Sequence, residues 1–424
     1  MPLVTTNAFH RLRFLDSLRA LAALFVVIHH AAINYYEYVP KDPAGQAEFR
    51  FEGLKLVAFE FFRRGHFAVD LFIVLSGFSL MLSVLKTDYK LKGGAMVFFK
   101  RRIIRIIPTY YAAILLSMLL ISTLIGDKTQ THWDISIPVD TFDIITHLLL
   151  VSDFFLSTAY SISHVFWSIC VEFRIYLFFP IILSLWFKKG ALTAISFSIL
   201  ISIIGLLVLG ILKAFWSQDI NTGQAGISPY IILFSLGMLA ADLSVKAGKS
   251  QGSFRSLYKN KPLAILVPCV ILSGVMLGSG GFLSKLESPG WLEYGVVYSH
   301  LKDIGIGILC SLFLFVVTLS ATEEKKESAL LATLNWKPLA FIGKFSYSLY
   351  LIHPVVLQVV SKFIVIPLHT DRFTSACILA AIGIISSLVI SYIFFIFFER
   401  PFLNAGKKGS GKVIVKHATS DTAA

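Results

Sequence analysis

Three ionisable side chains share one face of the first long apolar stretch, FLDSLRALAALFVVIHHAAI: Asp16, Arg19 and His30. Arg19 and His30 are eleven residues apart, about three helical turns, so they project within roughly 20° of each other and about 16–17 Å apart along the axis. A carboxylate, a guanidinium and an imidazole on one stripe can hold an anion and move a proton. An ionisable residue inside a membrane helix is costly and is read first as a functional group. A structural reading stands beside it: Arg19 snorkels to the interface and pairs with Asp16, and His30 hydrogen-bonds a neighbouring helix. His29 points about 100° away from His30 and ranks behind it.

Four further groupings carry polar chemistry. In HFAVDLFIVLSGFSLMLS, Gly77 suits close helix approach and Ser76 a hydrogen bond across it, while Asp70 is expected to line a polar site. In FFKRRIIRIIPTYY, Arg101, Arg102 and Arg105 crowd one helix start. Arg102 and Arg105 are neighbours that can grip one anion, although topology and lipid headgroups explain such residues equally well. In HVFWSICVEFRIYLFFP, Ser168, Glu172 and Tyr176 form an i, i+4, i+8 stripe. Glu172 lies within the apolar run and needs a partner or a proton, and Arg174 on its own helix faces away. In FIGKFSYSLYLIHPVV, Ser346, Tyr350 and His353 share a face, and His353 either contacts a ligand or caps the carbonyl that Pro354 frees.

The elements that must position these groups are membrane helices. The 424 residues are 56% hydrophobic and 15% charged, with a mean hydropathy of +0.76, which places the chain in a bilayer. Windows of about 20 apolar residues predict an all-α polytopic bundle of about ten spans near 15–35, 66–85, 103–125, 164–187, 191–212, 227–244, 262–280, 301–320, 339–363 and 373–399. The shorter run 141–156, which holds Asp143, His147 and Asp153, reads as re-entrant or interfacial. Lys and Arg set the orientation: with the N-terminus inside, inside segments carry about 25 of them and outside ones about 11, so both termini are expected in the cytoplasm. The expected organisation is a segment 1–13, a membrane domain 14–402 and a disordered tail 403–424. No cleavable signal peptide is expected.

The net charge of +13 is then a topological signal and makes no case for nucleic acid. Cys170, Cys269, Cys310 and Cys377 are scattered singly, so neither a disulfide framework nor a metal site is suggested. Phosphate loops and HExxH are absent.

Taken together, the runs LDSLRALAALFVVIHH, VDLFIVLSGFSL, FFKRRIIRIIPTYY, WSICVEFRIYLFFP, FSYSLYLIHP and FFERPF resemble, in order, acyltransferase family 3. These are integral-membrane O-acyltransferases that decorate bacterial surface glycans and some small molecules, and Arg19 and His30 match the family's Arg–x10–His signature. The resemblance implies a bacterial cytoplasmic-membrane enzyme with a cytoplasmic acyl-coenzyme A donor, acetyl being the expected acyl group. It implies an acceptor hydroxyl at the periplasmic side, on a glycan, a lipid-linked glycan or a small molecule. Larger members carry a C-terminal SGNH-type domain; here about two dozen residues follow the last helix, so, unless a separate protein completes the step, the membrane domain is expected to meet its acceptor directly.

Acyl transfer from a thioester to a hydroxyl needs a base, oxyanion stabilisation and a meeting place. On this reading His30 is the general base, with a transient acyl-histidine as the alternative, and Asp16 and Arg19 lie nearer the donor's entrance. Arg101, Arg102, Arg105 and Arg19 hold the donor. Glu172, expected near the opposite surface, orients the acceptor or relays its proton. Asp70, Ser168, Tyr176, Tyr350 and His353 line the substrate path. The rival is a proton-coupled transporter or flippase of an amphipathic substrate, against which no inverted repeat is visible.

Overall fold

The computed structural model describes residues 12–35, 53–87, 89–223, 226–249, 294–322 and 329–403. They are all-helical; among the described residues the only β feature is an isolated bridge between Phe155 and Ile220. Nine long helices dominate the described residues: α1 (Arg13–Ile33), α2 (His66–Leu85), α3 (Gly94–Leu120), α4 (Trp167–Lys189), α5 (Ala191–Phe215), α6 (Tyr230–Lys249), α7 (Tyr294–Thr322), α8 (Ser346–Val360) and α9 (Arg372–Phe394). Among the described residues, nine stretches are long and apolar enough to cross a membrane. The tenth expected span, 262–280, lies outside the described residues. A helix satisfies its own backbone groups, which is why such apolar runs take this form in hydrocarbon.

The exposed face of α5 is apolar. Leu200, Ile203, Ile204, Leu207, Val208 and Ile211 of α5 are all exposed, an arrangement that suits lipid rather than water. Ser198 and Ser202 of the same helix are buried on its inner side, where they bond Ser235 and Ser228 at 2.8 and 2.6 Å. Helices α3, α8 and α9 each continue into one wider π turn, at Ile121–Ile125, Ser361–Val365 and Phe395–Glu399. The last of these buries Glu399, which accepts hydrogen bonds from the backbone N–H and hydroxyl of Ser348 at 3.2 and 2.5 Å and so ties α9 to α8.

Small residues set the closest packing, as expected where lipid supplies no hydrophobic drive between helices. A Cβ on Gly77 of α2 would stand 2.0 Å from the carbonyl oxygen of Phe234 in α6, and one on Gly237 of α6 would stand 2.1 Å from that of Val74 in α2. Gly77 therefore does what its sequence suggested, and Ser76 bonds the Tyr176 hydroxyl of α4 at 2.8 Å.

The run 141–156 forms a short helix, Thr141–Leu148, whose first turn is closed by a reciprocal capping box between Asp140 and Asp143. Asp153 is fully buried and ion-paired with Arg174 of α4. Arg174 also donates to the carbonyls of Leu150 at 2.9 Å and Gly226 at 3.1 Å. Two of the three polar residues that marked this run are thus a cap and an anchor for the loop.

Candidate active site

Two cavities follow one another along the bundle. The first, of about 290 Å³, is lined among others by Arg19, Arg102, Arg105, Glu172, Tyr176 and Tyr350. The second, of about 350 Å³, is lined among others by His29, His30, His66, His132, His164 and Tyr350. Val69 and Tyr350 belong to both walls. Four helices or their leading loops pass the cavities consistently: Arg19 before His30 on α1, Ser83 to Val69 and then His66 on α2, Glu172 to Ser168 and then His164 around α4, and Ser346 then Tyr350 on α8. The cavities are therefore stacked along the helix axes, with Tyr350 at the partition.

In the first cavity Arg19 bonds Asp16 at 3.0 Å and the Ser79 hydroxyl at 2.6 Å. Asp16 is thus a tether for Arg19 and is not itself in the wall. Arg102 lies over the rings of Phe98 and Tyr176 at 5.4 and 5.2 Å, and its buried Nε has no hydrogen-bond partner among the described residues. Arg105 joins it, as their i, i+3 spacing predicts. Arg101 does not line the cavity: it turns outward and donates to the Lys92 carbonyl at 3.4 Å, because consecutive helical residues diverge by about 100°.

Ser168, Glu172 and Tyr176 do form one stripe in this wall. The Glu172 carboxylate accepts from the Tyr176 hydroxyl. Glu172 was expected near the opposite surface, with the acceptor; the structure places it beside the arginines instead, because α4 starts at Trp167, by the second cavity, and runs toward the first. The Ser168 hydroxyl bonds that of Tyr350 at 2.7 Å. Asp70 lines neither cavity; it is fully buried, with both carboxylate oxygens unpartnered among the described residues.

The second cavity is a nest of imidazoles. His30 has its ring 4.3 Å from that of His164, 5.2 Å from His353 and 4.7 Å from His29. His30, His132 and His164 bring three ring nitrogens within 4.8 Å of one another. His353 lines neither cavity, and of the two readings offered for it the carbonyl cap is the one present. Its Nδ1 lies 2.9 Å from the Tyr350 carbonyl that Pro354 leaves free, and its buried Nε2 is left unpartnered, beside His30. His164 has Nδ1 at 3.3 Å from the Ser136 hydroxyl. Burial, with His132 and His353 adding like charge, holds its pKa well below the ordinary histidine value, so it stands neutral at physiological pH.

His132 and His164 were not singled out in the sequence. They lie in the loop before α4, where no helical period marks them. The only available signal was the presence of eleven histidines in so apolar a chain. A second cluster was equally hidden: His66, Asp70 and Asp303 bring ligand atoms within 4.8 Å from two distant helices.

The sequence matches the acyltransferase domain family over residues 12–396. It is similar to the O-acetyltransferase OatA of Staphylococcus aureus (strain NCTC 8325 / PS 47), 24% identical over 359 residues that make up 82% of this chain and 51% of the relative. It is also similar to the peptidoglycan O-acetyltransferase OatA of Listeria monocytogenes serovar 1/2a (strain ATCC BAA-679 / EGD-e), 24% identical over 402 residues, 92% of this chain and 56% of the relative. The chain spans about half the length of these curated relatives. No solved structure matches it. With the family match running from the helix that carries Arg19 and His30 to the π turn that carries Glu399, the chain belongs to the acyltransferase family 3 of membrane acyltransferases.

Proposed function

We propose that the protein is an O-acyltransferase of the bacterial cytoplasmic membrane, moving an acetyl group from cytoplasmic acetyl-coenzyme A to a glycan hydroxyl on the opposite side. The observation that carries this reading is the pair of stacked cavities, cationic on the Arg19 side and histidine-lined on the His30 side, meeting at Tyr350. Arg102, Arg105 and Arg19 are the anion-binding groups for the donor phosphates. The thin pantetheine arm reaches along the first cavity, and its thioester comes to lie near Tyr350.

The acceptor enters the second cavity. His30 removes the proton from its hydroxyl, and the oxygen attacks the thioester carbonyl. The tetrahedral intermediate collapses as the carbon–sulfur bond breaks. The thiolate leaves and takes the proton that His30 carries, which restores the neutral imidazole. The Tyr350 hydroxyl, which contacts the Ser168 hydroxyl at 2.7 Å and donates to the Val165 carbonyl at 3.3 Å, is the group at the partition that would turn its proton to the developing oxyanion. Glu172 belongs to the donor side: with Tyr176 it shapes the surface on which Arg102 lies. The glycan acceptor follows the activity for which the Listeria relative is named.

The test is label transfer. Purified protein in lipid vesicles, given acetyl-labelled coenzyme A and peptidoglycan fragments, is expected to yield O-acetylated glycan, and H30A is expected to yield none while still accumulating in the membrane. Acceptor movement across the vesicle without acylation would remove the enzyme reading.

A further inference from the structure

The cluster of His66, Asp70 and Asp303 carries a second site. Asp70 and Asp303 are 0% and 3% exposed. His66 and Asp303 are joined by a 3.3 Å contact, whereas neither oxygen of Asp70 has a hydrogen-bond partner among the described residues. Two buried carboxylates a few ångströms apart cannot both remain ionised without compensation. The neighbouring Lys302 carries its ammonium over the Tyr298 ring at 5.0 Å.

No described N–H or O–H donor reaches either Asp70 oxygen, so hydrogen bonding does not supply the compensation. The three ligand atoms nonetheless lie within 4.8 Å of one another. A cation bonded at about 2.0–2.2 Å to each ligand bridges a gap of this size with a small closure. The frame is rigid: α2, which bears His66 and Asp70, packs tightly on α6, and α7, which bears Asp303, packs on both. The His66 ring is stacked against Trp167, 6.0 Å between centroids and 16° from parallel.

We propose that His66, Asp70 and Asp303 bind one divalent transition-metal cation. Two carboxylates with one imidazole suit Mn²⁺ or Zn²⁺. The ion replaces the missing counter-charge and joins α2 to α7 beside the histidine-lined cavity. This assignment is independent of the acyl-transfer reading.

The full-length protein, purified in lipid nanodiscs, is expected to contain close to one equivalent of divalent metal by elemental analysis. After chelator stripping, Mn²⁺ alone is expected to bind at one site, raise the unfolding temperature by several degrees and show coupling to one imidazole nitrogen in pulsed electron paramagnetic resonance. D70N and D303N should each lose that stabilisation, and H132Q should keep it. Two results overturn the assignment: stripped wild-type protein that takes up no Mn²⁺ at millimolar concentration, or a bound ion coupled to three imidazoles, which would put the metal at His30, His132 and His164. The wild-type measurements decide the matter even if D70N fails to fold.

Discussion

In the proposed reaction His30 and Arg102 are the residues on which the chemistry turns, and each makes a separate demand on experiment. Loss of the His30 imidazole removes the group facing the second cavity, so H30A should lower acyl transfer by at least the 10²–10⁴-fold typical of a general base. Transfer near the wild-type rate would end that assignment. R102A should raise the donor concentration at half-maximal rate about tenfold, the loss of one charge-assisted contact worth roughly 1.4 kcal/mol. R101A is the internal control, because Arg101 bonds Lys92 outside the cavity; its donor response should match the wild type. An equal effect of both substitutions would return the cluster to a purely topological role.

At the scale of elements, the α2–α6 contact is the least forgiving. Gly77→Ala places a methyl group 2.0 Å from a backbone oxygen that cannot rotate away, and overpacking of this kind costs about 1–3 kcal/mol. Thermal unfolding in lipid should show a clear loss, whereas Gly205→Ala on α5, with nothing within 4 Å, should show none. The short helix Thr141–Leu148 supplies a pH-dependent term. His147 is fully buried, its Nδ1 2.8 Å from the Asp143 carbonyl, and burial pushes its pKa down to about 4 from the ordinary 6.5. The unfolded chain therefore takes up this proton first as pH falls. The stability His147 contributes is present above pH 6.5 and is lost between about 6.5 and 4, on the order of 3 kcal/mol in full. Unfolding temperatures followed across that range should fall more steeply for the wild type than for H147Q; parallel curves would remove this term.

For the whole molecule, the decisive arrangement is two cavities in line rather than one. Their order along α1, α2, α4 and α8 predicts access from opposite faces of the membrane. In a cysteine-free background, Ser83→Cys in the first cavity and Ile135→Cys in the second should react with a membrane-impermeant thiol reagent from opposite sides of sealed vesicles. Labelling of both from one side would mean a single vestibule and would leave the two substrates with a common entrance.

Much of this was legible in one dimension. Apolar windows located α1 to α9 to within a few residues at most ends, since bilayer thickness dictates span length. Helical periodicity placed Ser168, Glu172 and Tyr176 on one wall, and Arg102 with Arg105, because spacing on a single helix is a local property. What spacing could not convey is which helix faces which, and at what depth. Glu172 came to rest beside arginines from α1 and α3, His164 and His132 reached His30 from a loop without period, and Asp303 met Asp70 across 233 positions of chain. Those meetings depend on the direction each helix runs and on the close approach that Gly77 and Gly237 permit, and both are settled only when the bundle packs.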